Sequence, residues 1–529
     1  MVQEILLILW HNFLAFMKKF FHCASLLFCV VAITMPSCSN AESNESGAHN
    51  HDVATDARAA HNHDVATDAR AVSMYNEVLK EKFKSAYITG LRKELALDED
   101  FNSYVSGVNN ELYGKYGSAG WLSEDYRVDY VRAVATYIED RHYSYTWRHV
   151  QQHLSDTEVA VEFTESGDTI YALLLKPHAE APELIPLTRK FKLDQYLQQF
   201  RISGQPWRMY DYAEHKTEFK DMIWSKIVTQ VPDTFTINYA PCVPMLNVNM
   251  AALPFDSVSI MAEHYRMRHL TSTRTLCRRR MVPYAPVKIA ILFGDVKNPA
   301  LPELSASGTE LETAKGFLEG AGYYALIFAG EDCQEQAFVK LNSKPFFDII
   351  HIASHSYNLW GLDILFPKKH SFITDPMNQR QFSGLVFSTP KDTTSYSIQP
   401  LTVMQEKEPY VKLRNDGILT CDDIYKLNYA KANLIVAATC YGNGQAQFND
   451  ETYGLRAAFK MTGARSSIIG LWDTHDMASS CFFYYFYGYL GMCGDTSFAC
   501  VQDSYRLALI HTRKHFPNPY YWAVYSLAD

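Results

Sequence analysis

The feature that most constrains the fold is a series of continuous apolar runs that alternate with segments of helical periodicity in the second half of the chain. Strands that are apolar throughout are typical of parallel sheets with helices on both faces. The pattern therefore predicts an α/β fold with a mainly parallel sheet covered by helices. The runs are 287–293, 323–329, 346–352, 433–438 and 464–471, and the helical segments are 309–321, 334–341, 452–461, 478–490 and 496–514.

Composition narrows the class of protein further. A chain of 529 residues is too long for one compact unit, so two or three domains are expected, and a hydrophobic fraction of 47% excludes wholesale disorder. The 49 Lys and Arg are outnumbered by 58 Asp and Glu, for a net charge of −9, so no nucleic-acid partner is expected. The mean hydropathy of −0.18 excludes a protein with many membrane spans.

The first 38 residues form a strongly apolar leader. Read from Met17, two lysines precede an apolar segment that ends in small residues and Cys38, which is the arrangement of a secretory signal. The sequence Met35–Cys38 resembles a loosened bacterial lipoprotein box, in which Cys38 is acylated and becomes the first residue. An uncleaved anchor that starts at Met1 is the alternative. We expect the protein at a bacterial cell envelope, held by a lipid anchor or secreted.

A polar linker and a helical stem follow the leader. Residues 39–71 contain a perfect tandem 12-residue repeat, at 48–59 and 60–71, and are predicted to be a disordered linker. The histidines of the repeat could bind a metal ion loosely, but a duplicated tether without chemistry is the preferred interpretation. Residues 72–145 show apolar spacings of three and four and are predicted to form a helical stem.

Residues 156–276 predict a second region of mixed strands and helices. Paired strands are expected at 159–163 and 170–175, around a turn at 166–168. The spacings of the 11 cysteines in the chain give neither a zinc site nor a dense disulfide framework. We therefore predict no metal and no cofactor.

A histidine and a cysteine follow two of the apolar runs, at the strand ends where parallel sheets place their chemistry. His355 comes after the run that ends at 352, and Cys440 comes after the run that ends at 438. Neighbouring parallel strands lie about 4.8 Å apart, so the two side chains could meet above one edge of the sheet. A thiol beside an imidazole can lose its proton and attack an acyl carbon, while backbone N–H groups stabilise the oxyanion. The alternative is that both are ordinary core or loop residues.

An ordered set of short motifs between residues 146 and 529 resembles the CHAT domain, a caspase-related module. The motifs are Trp147–Gln151 with Glu158–Phe163, Ser272–Arg274, His351–His355, Asp416–Thr420 with Leu434–Gly444, Gly454–Phe459, Gly463–Arg465, Gly470–Trp472 and Tyr520–Ala523.

The resemblance implies a caspase-like fold, with an inactive half over 146–280 and a catalytic half over 281–529. It implies His355 as the general acid/base and Cys440 as the nucleophile, and we expect the backbone of Ser356 and Cys440 at the oxyanion. Ser356 stands where the family usually has Gly, although its N–H can still donate a hydrogen bond. The segment 358–410 is a long polar insert near this site, either a lid or a surface loop.

The stretch Leu471–Asp476 is similar to a run in separase, a relative of this family. The similarity implies that Asp476, with Asp473 nearby, reads a basic side chain of the substrate, for which a carboxylate is suited. The alternative is that both aspartates cap the helix that starts near Met477.

The leading interpretation is a cysteine endopeptidase of the caspase and separase type that cleaves after Arg or Lys. Its expected partners are a protein or peptide substrate with a basic residue and a regulatory protein. A catalytically silent adaptor with a protease fold, which binds a protein partner without cutting it, is the alternative function.

Overall fold

The structure is a computed structural model, and it describes the chain from residue 68 onwards with gaps. The leader with Cys38, the histidines of the repeat and most of the insert 358–410 lie outside the described residues. The described residues are 68–80, 99–117, 125, 129–130, 133–134, 137–138, 145–211, 217–277, 288–299, 301–341, 347–357, 383–388, 417–430, 432–440, 442, 446–448 and 451–529.

The helical stem begins earlier than the sequence predicts. Residues 68–80 are helical, so 68–71, which we assigned to the disordered linker, belong to a helix. The reason is a buried apolar stripe that starts with Ala71 and continues through Tyr75. The hydroxyl of Tyr75 lies 2.8 Å from Oγ1 of Thr273, which ties this helix to the first sheet. Helix α1, Glu99–Tyr116, follows in the stem.

The first sheet is mixed. Its strands are β1 (Glu158–Ser166), β2 (Thr169–Leu175), β3 (Glu183–Arg189), β4 (Thr236–Ala240) and β5 (Arg266–His269). They lie in the order β3-β2-β1-β4-β5, with β1, β4 and β5 parallel and the β1–β2–β3 connections antiparallel. The predicted hairpin is present: Ser166 pairs with Thr169, and Gly167 turns the chain with φ of 60°.

Short helices surround this sheet and bury large aromatic side chains such as Trp224 and Tyr210. The α-helices are α2 (Trp147–Gln151), α3 (Lys190–Ile202), α4 (Glu218–Ile223), α5 (Ser225–Val228) and α6 (Met261–His264). Short 3-10 helices occur in the described residues at Pro206–Tyr210, Val243–Met245, Met250–Ala252, Thr273–Cys277 and Gly330–Asp332.

The second sheet contains all five predicted apolar runs as parallel strands. Its strands are β6 (Ile289–Gly294), β7 (Tyr324–Ala329), β8 (Ile349–Ala353), β12 (Leu434–Ala438), β15 (Ser466–Gly470) and β16 (Tyr525–Ala528). The order is β16-β15-β12-β8-β6-β7, and only β16, which the sequence did not predict, is antiparallel among them. The predicted α/β fold with a mainly parallel sheet is confirmed.

Helices cover both faces of the second sheet, as continuous apolar strands require. The helices are α7 (Ser307–Gly320), α8 (Glu335–Lys340), α9 (Cys421–Lys426), α10 (Leu455–Met461), α11 (Asp476–Cys493), α12 (Phe498–His515) and α13 (Pro519–Trp522). Helices α7, α11 and α12 pack in one apolar cluster, and α8, α9 and α10 pack in the other. Adjacent residues of β8 illustrate the alternation, because Ile349 belongs to the first cluster and Ile350 to the second.

Two smaller sheets lie beside the second one. Their strands are β9 (Ser356–Tyr357), β10 (Gly384–Val386) and β11 (Ile418–Thr420) in one, and β13 (Ala446–Phe448) and β14 (Glu451–Tyr453) in the other. Strand β10 comes from within the insert 358–410 and pairs with β9, the strand that starts directly after His355, and with β11.

The first sheet covers the edge of the second sheet that ends in β16. The backbone N–H of Asp529 donates to the carbonyl of His269, over 3.1 Å. The side-chain amide of the buried Asn249 donates to the carbonyls of Ala523 and Tyr525, over 3.0 and 2.7 Å. Among the described residues, no helix combines the length and the apolar character needed to cross a bilayer.

Candidate active site

The two candidate catalytic residues occupy equivalent positions at the ends of neighbouring strands. Strands β8 and β12 are parallel, and their last pair in register is Ala353 with Ala438. His355 and Cys440 each lie two residues beyond that pair, since 355 − 353 = 2 and 440 − 438 = 2. Because paired parallel strands are about 4.8 Å apart, the backbones of the two residues leave the sheet at neighbouring positions of its carboxyl edge.

A backbone carbonyl fixes the tautomer of His355. The Nε2 atom lies 2.8 Å from the carbonyl oxygen of Pro302, in the loop between β6 and α7. Because a carbonyl only accepts hydrogen bonds, Nε2 carries the proton and donates it. The other ring nitrogen, Nδ1, is then the acceptor of the neutral imidazole. A base held by a third group in this way is what nucleophilic catalysis by a thiol requires.

The thiol of Cys440 is half-buried and contacts Thr474. Its Sγ atom lies 3.4 Å from the backbone nitrogen of Thr474, which donates to it, and 3.6 Å from the Thr474 hydroxyl. Burial raises the pKa of the Cys440 thiol above its usual value, and the negative charge of Asp473 raises it further. The two contacts with Thr474 act in the opposite direction but are outweighed. The resting thiol is therefore protonated at neutral pH.

Cys440 and His355 follow neighbouring strand ends, and in the part of the chain that the structure describes no hydrogen bond joins their side chains. The link between the two strand ends comes from Ser356, whose hydroxyl donates to the carbonyl oxygen of Cys440. In addition, the carbonyl of His355 accepts the N–H of Val386 in β10, over 2.9 Å. The backbone on both sides of the candidate dyad is thus held in place.

A glycine lets the strand that follows the nucleophile approach closely. A Cβ on Gly470, at the end of β15, would lie 2.1 Å from the carbonyl oxygen of Thr439. No other residue type fits at this position without moving the backbone next to Cys440. The close approach brings the loop after β15, with Thr474, against the thiol.

A buried tryptophan anchors the same loop. The Trp472 side chain is 1% exposed and packs against Tyr210 and Trp207, with ring centroids 5.8 and 6.3 Å away. Its Nε1–H donates to the carbonyl of Tyr520 over 3.0 Å. Trp472 therefore anchors the loop between β15 and α11 to the segment Pro206–Tyr210 and to α13.

Asp476 opens α11 but does not act as its cap. The residue before the helix is His475, and no side chain makes a capping hydrogen bond there. Instead, Oδ2 of Asp476 accepts the N–H of Ala306 over 2.6 Å and the hydroxyl of Ser305 over 3.1 Å. Asp473 is exposed on the same loop. The hydrogen bonds of Asp476 therefore do not fit the alternative in which it caps the helix.

A buried hydrogen-bonded chain lies beneath the site. Nε2 of His351 lies 2.9 Å from Oε1 of Glu310, and its Nδ1 lies 2.9 Å from the hydroxyl of Tyr487. The His351 and Glu310 side chains are 0% and 3% exposed. Burial raises the pKa of Glu310 and outweighs the lowering effect of His351, and the charge of Asp476 adds to the increase.

Among the described residues, one group of potential metal ligands lies close together, namely Cys493, Asp495 and Cys500. The two cysteines are joined in a disulfide between the end of α11 and the start of α12. A disulfide removes both thiolates as ligands, so this cluster does not fit a metal ion.

The chain belongs to the CHAT domain family, which matches residues 216–528. This confirms the resemblance found in the sequence, and the match starts within the region of the first sheet. No curated protein sequence matches the chain.

Solved structures that are similar to the chain include those of a gingipain and of a separase complex. Gingipain R of Porphyromonas gingivalis, described as an Arg-specific cysteine proteinase, is 8% identical, with a TM-score of 0.36 over 64% of this chain and 74% of that one. The separase–securin complex of Saccharomyces cerevisiae is 9% identical, with a TM-score of 0.38 over 76% of this chain. That alignment covers 31% of the separase-complex chain, so this chain spans about a third of its length.

Three groups at the site were not predicted from the sequence. They are the carbonyl of Pro302, the N–H and hydroxyl of Thr474, and the donors of Ser305 and Ala306. Thr474 lies inside the stretch compared with separase, and residues 301–306 follow the end of β6, where the strand-end rule points. For the groups of Pro302, Ser305 and Ala306, only the strand-end rule, and no residue type, could have indicated their part in the site.

Proposed function

We propose that the protein is a cysteine endopeptidase in which His355 is the general acid/base and Cys440 the nucleophile, with cleavage after Arg or Lys. The observation that carries the proposal is the equivalent placement of the two residues beyond the last register pair of β8 and β12. The hydrogen bond from His355 to Pro302 supports it, because it leaves Nδ1 as the base.

The chemistry is acyl transfer in two steps. In the first, Nδ1 of His355 takes the thiol proton, the sulfur of Cys440 attacks the carbonyl carbon, and the carbon–nitrogen bond breaks as the imidazolium protonates the leaving amine. In the second, the imidazole takes a proton from water and the hydroxide attacks the thioester. The carbon–sulfur bond then breaks, the carboxyl product leaves, and the imidazolium returns a proton to the sulfur of Cys440. Backbone N–H groups of Ser356 and Cys440 would stabilise the oxyanion in both steps.

The acidic loop after β15 supports the preference for basic substrates. Asp473 and Asp476 lie one and two residues from Thr474, which contacts the thiol. A cationic side chain bound there would also offset the charge of Asp473, which raises the pKa of Cys440. Substrate binding and thiol ionisation are therefore coupled in this proposal.

The test is cleavage of fluorogenic peptides that end in Arg or Lys by the purified full chain in detergent, beside Cys440→Ala. Cys481→Ala is the matched control, because Cys481 is another partly buried free thiol away from the strand ends. We expect activity in the wild type and in Cys481→Ala, and none in Cys440→Ala. Equal rates in all three would reject the proposal.

The second candidate is an adaptor that binds a regulatory protein partner at this site without cutting it. The raised pKa of the Cys440 thiol favours the adaptor, as does the fact that, among the described residues, this thiol is hydrogen-bonded to Thr474 and not to His355. Binding of a partner that survives Cys440→Ala, with no cleavage of that partner by the wild type, would support the adaptor over the peptidase.

We also propose that the protein is anchored at a bacterial cell envelope through a lipid on Cys38. The disulfide between Cys493 and Cys500 supports an oxidising compartment, since disulfides rarely persist in the cytosol. Metabolic labelling with an alkyne-bearing palmitate should mark the wild type and not Cys38→Ser, with Cys23→Ser as a control in the same leader. Labelling of all three alike would contradict the assignment.

A further inference from the structure

We infer that Asp476 selects a lysine side chain over an arginine side chain in the residue before the scissile bond. This inference rests on the proposed function and deepens it, because it narrows the basic substrate class to one member.

The two oxygens of the Asp476 carboxylate are not equivalent. Oδ2 accepts two hydrogen bonds from the chain itself, 2.6 Å from the N–H of Ala306 and 3.1 Å from the hydroxyl of Ser305. A carboxylate oxygen offers about two lone-pair positions, so Oδ2 is filled. Among the residues that the structure describes, no donor forms a hydrogen bond with Oδ1. One oxygen therefore remains for a substrate.

The donors on Oδ2 are held in place. Ala306 directly precedes α7, and Ser307, the first residue of that helix, donates its hydroxyl to the carbonyl of Leu304 over 2.8 Å. The same hydroxyl accepts the N–H of Asp295, over 3.1 Å. The positive end of the α7 dipole also favours the contact with the carboxylate. A substrate would have to break this arrangement to gain access to Oδ2.

Arginine and lysine make different demands on a carboxylate. The planar guanidinium fork gains most of its advantage from two parallel hydrogen bonds to both oxygens of one carboxylate. An ammonium is a compact charge with three donors, which can contact Oδ1 of Asp476 and a second acceptor in another direction. Asp473 lies three residues earlier on the same loop and is exposed. The single open oxygen of Asp476 therefore fits one contact with an ammonium better than the two parallel contacts of the guanidinium fork.

The experiment compares matched peptides that differ only in Lys or Arg before the cleaved bond, with kcat/KM measured for the full chain. We expect the Lys peptide to be preferred by about tenfold, the scale of one lost charge-assisted hydrogen bond. Ser305→Ala removes one donor from Oδ2 and should raise the Arg rate, so that the preference falls to about threefold or less. Ser305→Thr keeps the hydroxyl and should keep the wild-type ratio.

The outcomes separate this inference from the proposed function. Labelling of Cys440 by lysyl and arginyl acyloxymethyl ketone probes, read by mass spectrometry, provides a second readout. Cleavage or labelling that is equal or faster with Arg overturns the lysine preference and leaves the peptidase intact. A Lys preference that is unchanged in Ser305→Ala overturns the role of the filled oxygen. Neither cleavage nor labelling with either residue overturns the peptidase and the inference together.

Discussion

Ser356 donates its hydroxyl to the carbonyl oxygen of Cys440, so the residue after the candidate base holds the backbone of the candidate nucleophile. The two residues are 84 apart in sequence and belong to neighbouring strand ends. A residue without a side-chain donor at this position could not form this bond.

Ser356→Ala tests whether that bond keeps the site in order. We expect kcat/KM to fall about fivefold, the equivalent of a hydrogen bond of about 1 kcal/mol, because the carbonyl of Cys440 loses its partner. Ser356→Thr retains a hydroxyl and should stay within about twofold of wild type. An increase in activity for Ser356→Ala would mean that the bond restrains the site instead of supporting it.

Asp473→Asn should make the Cys440 thiol more reactive. The charge of Asp473 raises the pKa of that thiol, so its removal lowers the pKa and increases the thiolate fraction at pH 7. For an exposed charge we expect about a two- to fivefold faster reaction with iodoacetamide at low salt. The measurement is the pH profile of labelling at Cys440, resolved by mass spectrometry. An unchanged profile would show that Asp473 is screened from the sulfur.

Thr474→Val should act in the opposite direction on the same thiol. The hydroxyl of Thr474 lies 3.6 Å from Sγ and lowers the pKa of Cys440, so its loss raises the pKa and slows labelling at pH 7 to 8. The backbone N–H of Thr474 is kept, so part of the effect remains. Thr474→Ser should restore the wild-type rate. A Val variant that reacts faster than wild type would contradict the assignment of this contact.

Glu310→Gln should gain stability relative to wild type as pH rises. Burial raises the folded-state pKa of Glu310, so the folded protein binds a proton at this carboxyl more tightly than the unfolded chain does. That stabilisation is complete below the unfolded pKa and is lost as pH rises through the folded pKa. Gln does not ionise, so the difference in unfolding free energy should move in its favour by about 1.4 kcal/mol per unit of raised pKa.

Urea unfolding at pH 5 and pH 8 measures this difference. Glu319→Gln, on the exposed side of the same helix, is the matched control and should show no comparable trend. A stability difference for Glu310→Gln that does not change with pH would mean that His351 keeps the carboxyl charged over the whole range.

Much of the second sheet could be predicted because each of its parallel strands has a recognisable apolar pattern within its own residues. The five parallel strands are mostly apolar and buried, so their positions, and hence the strand ends with His355 and Cys440, follow from the sequence alone. Strand β16 was missed because it is short and antiparallel and is stabilised by partners far away in the chain, such as Asn249. Pairing with distant residues leaves no local pattern.

The remaining parts of the site depend on backbone atoms and loop conformations. The groups used are the backbone carbonyl of Pro302 and the backbone N–H of Ala306. Every residue type has such a carbonyl and every type except proline has such an N–H, so no sequence pattern identifies them. The start of the first helix was misplaced for a related reason. Residues 60–71 repeat 48–59, and what makes 68–71 helical is the amphipathic segment that follows them.

The covered edge at β16 has a consequence for how the protein assembles. An exposed edge strand is a template for a second chain, but here the N–H of Asp529 and the carbonyls near Tyr525 are already engaged by His269 and Asn249 of the same polypeptide. Two copies of the chain therefore cannot extend the second sheet by pairing at their β16 strands. An assembly that adds strands to the second sheet would therefore have to use β7, at the other end of the strand order.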